Sequence, residues 1–73
     1  MTQEQARLVR VLRTQMGCTW RRIAEIWEEV YETPPRRDIQ AFGAELCHEA
    51  GQVLGIDLDK VAVLDDWLPT HGN

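Results

Sequence analysis

The chain has 73 residues and a formal charge of −4, the size of one small domain. A chain of this length buries only about 60% of its unfolded surface, which leaves little room for a multistep active site beside a core. Its 44% apolar content is globular, serine is absent and Lys60 is the single lysine, so serine-nucleophile chemistry is excluded, and net acidity excludes a polycation that binds nucleic acid by bulk charge.

Thr2 followed by Gln5 fits a capping box, and the spacing predicts a first helix running to about Met16. Leu8, Val9, Leu12 and Met16 are read as its apolar stripe, with Arg7, Arg10 and Arg13 on the opposite, solvent side. Gly17 is the expected stop, since it takes positive φ without steric cost. Thr19 is the next N-cap, opening a second helix from Trp20 to about Glu32. Trp20, Ile23, Ala24, Trp27, Val30 and Tyr31 form its stripe, and the two tryptophans are expected to anchor the core.

Thr33, Pro34 and Pro35 break that helix, because a residue before proline is pushed out of the α region. Pro35 then suits the first turn of a third helix over residues 35–54. Ile39, Phe42, Gly43, Leu46, Cys47, Ala50 and Val53 are its expected buried side, and Gly55 its terminator. Arg37, Gln40, Ala44, His48 and Gly51 mark a second, small and smooth side. For residues 56–68 the reading is a short helix with Val61, Leu64, Trp67 and Leu68 inward, since an isolated strand would lack a partner. Residues 69–73 are expected to be a frayed tail. The fold class is all-α: one three-helix bundle with a short C-terminal helical segment.

Charge divides the chain. Residues 1–37 carry all seven arginines and a net +2, and residues 38–73 carry net −6. The segment Gly17-Cys18-Thr19-Trp20-Arg21-Arg22-Ile23-Ala24, preceded by an arginine-bearing helix, resembles the entry to bacterial helix-turn-helix DNA-binding domains over residues 6–42. That resemblance implies a supporting helix over 19–32 and a recognition helix over 35–54. It implies base contacts by Arg36, Arg37 and Gln40, since arginine pairs with guanine and glutamine with adenine. Arg7, Arg10, Arg13, Arg21 and Arg22 become the phosphate contacts, duplex DNA the partner, and transcription regulation the role. In the familiar pattern a turn follows the alanine by about four residues; here Glu28 stands there. A homodimer, joined through the small face at Ala44 and Gly51, would match a palindromic site.

The competing reading is an adaptor that binds a larger protein through its acidic half, with residues 57–68 as a docking helix, or through the smooth face of the third helix. No catalytic residue, cofactor or metal is expected. Cys47 and His48 diverge by about 100° on a helix, and Cys18, Cys47, His48 and His71 do not have zinc spacing. Residues 1–5 have no signal-peptide pattern, no apolar run nears the roughly 20 residues that cross a bilayer, and the expected location is the cytoplasm, where thiols stay reduced.

Overall fold

The computed structural model describes residues 1–67; the expectations for Leu68, for the 69–73 tail and for the Trp67 side chain lie outside what it describes. The described chain is helical throughout its regular structure, in the order predicted. Helix α1 spans Gln3–Arg10 and opens on the expected capping box. Thr2 Oγ1 accepts from the Gln5 N–H at 3.1 Å, and Gln5 Oε1 accepts from the Thr2 N–H at 2.9 Å.

The helix continues beyond Arg10 as a π-helical turn, Val11–Gln15, sealed by the Met16 N–H donating to the Val11 carbonyl at 3.1 Å. Gly17 then takes φ +64°, and the Cys18 N–H reaches back to the Leu12 carbonyl at 2.9 Å. Two expectations fail in this wide turn. Met16 is 65% exposed rather than inside, and Arg13 is buried at 1% exposure rather than facing solvent. The buried stripe of this first helical stretch is Ala6, Val9, Leu12 and Arg13.

Helix α2 spans Trp20–Tyr31, with Thr19 Oγ1 accepting from the Arg22 N–H at 3.0 Å. It ends at Glu32, a non-glycine residue at φ 53°. Only Ile23 and Ala24 are fully buried on it; Trp20 and Trp27 pack against the edge of the core, and Val30 is 53% exposed. The tryptophans therefore roof the core instead of forming its centre.

Helix α3 spans Ile39–Leu54, four residues later in starting than expected. Asp38 is its N-cap, its Oδ1 accepting from the Ala41 N–H at 3.1 Å. Pro35, Arg36 and Arg37 thus lie in the link, and the double proline separates two helices without opening the second. Gly55, at φ 71°, ends α3 as expected. The C-terminal segment forms two 3₁₀ turns, Leu58–Lys60 and Leu64–Trp67, not one helix. Leu58 and Asp66 are buried on it, while Leu64 is 82% exposed.

Helix α3 is the centre of the bundle, packed on both α1 and α2. The core is built from Ala6, Val9, Leu12, Ile23, Ala24, Leu46, Cys47, Ala50 and Leu58. Two glycines set its spacing. A Cβ on Gly43 would stand 1.8 Å from the backbone carbonyl oxygen of Trp20, and one on Gly51 would stand 2.6 Å from that of Ile56. Gly51 is therefore buried beneath the chain's own return and contributes nothing to a free smooth face.

Both contacts are with backbone, so neither glycine accepts a methyl group without displacement. Gly43→Ala forces two helices apart and is expected to cost about 3 kcal/mol, whereas Gly51→Ala displaces only a loop and is expected to cost about 1 kcal/mol. Urea unfolding of the two variants beside the parent checks both the sign and the order.

Candidate functional site

The most concentrated chemistry in the molecule lies where the end of the first helical stretch, the start of α2 and the C-terminal segment meet. Arg13 projects from the π turn into this junction. Its Nη2 donates to Asp66 Oδ2 at 2.6 Å and its Nη1 to Asp66 Oδ1 at 3.1 Å, a bidentate pair with both side chains 1% exposed. The same two nitrogens also donate at 3.0 Å, Nη1 to the Cys18 carbonyl and Nη2 to the Val61 carbonyl. The guanidinium lies 5.1 Å from the Trp20 ring centroid, within cation–π range. Arg13 Nε, buried, has no hydrogen-bond partner among the described residues.

Asp66 completes the junction. Its Oδ1 accepts from the Trp20 backbone N–H at 2.9 Å, one of the orphan donors at the start of α2. Its carbonyl accepts from Gln40 Nε2, which ties in the first turn of α3. A carboxylate at a helix N-terminus facing an arginine fork is favoured by both charge and geometry.

The eight residues expected to touch DNA separate into distinct groups. Arg13 is sealed inside and cannot reach a phosphate; this corrects its assignment, and the reason is its pairing with Asp66. Gln40 is half-buried with its carboxamide committed to Asp66, so it is not a base-reading side chain in this arrangement. Arg36 and Arg37 are exposed but precede α3 and do not tip it. Arg36 is anchored at both ends: its N–H donates to Glu28 Oε2 at 2.9 Å, and its guanidinium lies 4.4 Å from the Phe42 ring centroid. Asp38 places a carboxylate at the end of α3 where a recognition helix would approach phosphate.

Arg21 and Arg22 share Glu25, at 3.2 and 3.4 Å, and keep 42% and 61% of their side-chain surface exposed. Exposed pairs of this kind contribute about 0–1 kcal/mol and are readily exchanged. Arg7 donates to Gln3 Oε1 at 3.2 Å on the exposed face of α1. Arg10 is exposed there, its carbonyl accepting from Thr14 Oγ1 at 2.8 Å. The structure brings Arg21 and Arg37 together on one open cavity, shared with Asp38, Ile39 and Gln40. That juxtaposition is not visible from sequence spacing, because it depends on the path of residues 32–38.

A second open groove runs along α3, lined by Ala44, Glu45, His48, Glu49 and Gln52. At its margin His48 Nδ1 lies 2.7 Å from Asp59 Oδ2. The hydrogen bond to Asp59, and then the charges of Asp59 and Asp57, raise the His48 pKa above its ordinary 6.5. Burial pushes the Cys47 thiol up to about 11, which makes it a core residue and a poor nucleophile. Among the described residues no cluster of three His, Cys, Asp or Glu could hold a metal, and no helix is long and apolar enough to cross a membrane.

Two outcomes test this description. Removing one partner of a buried ion pair leaves an uncompensated charge, so Arg13→Met or Asp66→Leu alone is expected to cost about 3–5 kcal/mol, and the double change markedly less than their sum. A double-mutant cycle by chemical unfolding measures the coupling directly. For His48 the sign follows from a raised native pKa: its pairing stabilises the fold fully below pH 6.5 and ceases to do so as pH rises through the native value. An NMR titration should place the His48 midpoint above 6.5, and Asp59→Asn should return it towards that value.

No protein-family model, curated protein or solved structure matches the chain.

Proposed function

We propose that the chain binds duplex DNA as a helix-turn-helix variant, with its working unit formed by the first helical stretch and α2 instead of α2 and α3. Residues 16–19 make a four-residue turn with Gly17 at φ +64°, the length and chemistry such a unit uses. α2 follows it directly, with Arg21 and Arg22 in its first turn facing solvent. α3, packed from both sides, serves as scaffold.

The observation that carries the reading is the meeting of Arg21 and Arg37 on one open cavity, beside the exposed Arg22. Arg21 and Arg37 flank that cavity, whose lining also carries the α3 cap Asp38, and the weak ties of Arg21 and Arg22 to Glu25 yield to a stronger anion. Such a site fits the role of a small transcription regulator or accessory factor.

The second reading, an adaptor for a larger protein, is favoured by the groove along α3. Its two glutamates and the neighbouring Asp57 and Asp59 would accept a basic segment.

A titration against mixed-sequence duplex DNA over a salt series separates the two. Three phosphate contacts give a slope of log K against log salt of about −3, and Arg21→Ala, Arg22→Ala and Arg37→Ala should each reduce its magnitude by about 1. Absence of binding at about 50 mM salt overturns the DNA reading and leaves the adaptor.

A further inference from the structure

We infer that the outer face of α3 is an interface between two copies of this chain, joined antiparallel about a two-fold axis beside Ala41 and Ala44. Open cavities run into one another along this face. The first holds Arg21 and Arg37 and shares Asp38 and Gln40 with the second. The second adds Trp20 and Ala41 and shares Ala44 with the groove of Glu45, His48 and Glu49. The result is one continuous surface along most of α3.

The order of charge along this surface selects its occupant. Two guanidiniums stand at one end, two glutamates at the other, and alanine lies between them. A basic segment laid along the whole face meets Arg21 and Arg37, and a nucleic-acid backbone meets Glu45 and Glu49. A second copy turned end for end presents the opposite order. An axis between the alanines sets Arg37 of each copy against the glutamate end of the other, and brings Asp38 near the second copy's His48. Two-fold pairing of this kind uses the same patch on both copies, so each contact occurs twice.

The groups that the pairing needs are available. Arg37 and Glu45 are exposed, and their side chains form no hydrogen bond or ion pair among the described residues. Glu49 keeps 54% of its side-chain surface exposed beside the Met1 amine that it binds. Ala41 is exposed and Ala44 half-buried, and small side chains let two helices pack toward the short end of the usual range, about 8 Å between axes. Gly51 is closed off beneath the Ile56–Leu58 return, which places the axis in the first half of α3 and not near its end. Exposed ion pairs are individually weak and a single helix face is a small interface, so the dimer is reversible and sensitive to salt. This inference goes beyond the DNA reading and stands without it; both draw on Arg37, so a duplex and a second copy compete for that side chain.

The test is sedimentation equilibrium of the whole chain from about 10 μM to about 1 mM, at about 20 mM and about 500 mM salt. The mean mass is expected to rise from one chain toward two with concentration at low salt, and to rise less at high salt. Arg37→Glu and Glu45→Arg should each weaken association about tenfold, because each turns two attractive contacts per dimer into repulsive ones. An equal mixture of the two variants should recover the association of the parent, since every mixed pair again opposes unlike charges at both ends. Ala41→Tyr, at an exposed position, should leave single chains with the parent's helical circular dichroism; if it does not fold, the charge-reversed pair decides. Single chains at every concentration in low salt overturn the inference, as does association that Arg37→Glu leaves unchanged or that the mixture does not recover. A duplex titration of the same samples keeps the two readings apart. Association without DNA binding removes the DNA reading and leaves the interface, whereas DNA binding by chains that never associate overturns the interface and leaves the DNA reading.

Discussion

Arg13 and Asp66 form the contact on which the arrangement of this small bundle depends. One guanidinium and one carboxylate, each 1% exposed, join the consecutive π turn, Gly17 loop and start of α2 to the C-terminal segment, which is far away in sequence. Through the Asp66 carbonyl the junction also reaches α3. A chain of 73 residues has little apolar surface to bury, and its fully buried side chains are mostly small or medium aliphatics. The pair supplies orientation where apolar area is scarce. Its hydrogen bonds demand one register of the C-terminal segment, whereas a purely apolar contact at the same place would tolerate several.

The local punctuation of the fold was legible in the residues. Thr2, Gly17, Thr19 and Gly55 each act at the position where a cap or a positive φ is required, because those roles depend only on near neighbours. Arg13 shows where the reading failed. It lies four residues after Val9 and seven after Ala6, so helical periodicity already placed it among buried positions. Assigning it to solvent followed from its charge alone, and the partner that permits its burial is 53 residues away. Asp38 and Pro35 competed for the start of α3. The proline fits a first helical turn in isolation, yet the aspartate can accept the Ala41 N–H and proline has no comparable cap. The C-terminal segment escaped the same logic, since its apolar residues fit a helix but its position is dictated by hydrogen bonds to Arg13 and Gln40.

The division into a basic front and an acidic back also changes meaning once folded. Arg13 and Asp66 cancel inside the protein and present nothing to a partner. Glu25 links Arg21 and Arg22 on the surface, where the salt bridges are easily exchanged. Arg37, drawn beside Arg21 by the link between α2 and α3, joins a cluster that its sequence position assigned to another helix. The relevant quantity is therefore not the net charge of −4 but which guanidiniums remain available at one place. On that measure the available guanidiniums are Arg21 and Arg37, which meet on one cavity with Asp38, the cap of α3, and the committed Gln40.

The same helix end thus bears two kinds of positive environment. Its outer side has Arg21 and Arg22 in water, and its inner side has Arg13 in a dry setting with Asp66 as counterion. The two differ in what an anion must do to reach them. On the outside it competes with water and a mobile glutamate, so binding is weak and strongly screened by salt. On the inside Asp66 is covalently part of the chain and present at high effective concentration, so the pair stays closed and Arg13 is withheld from external anions.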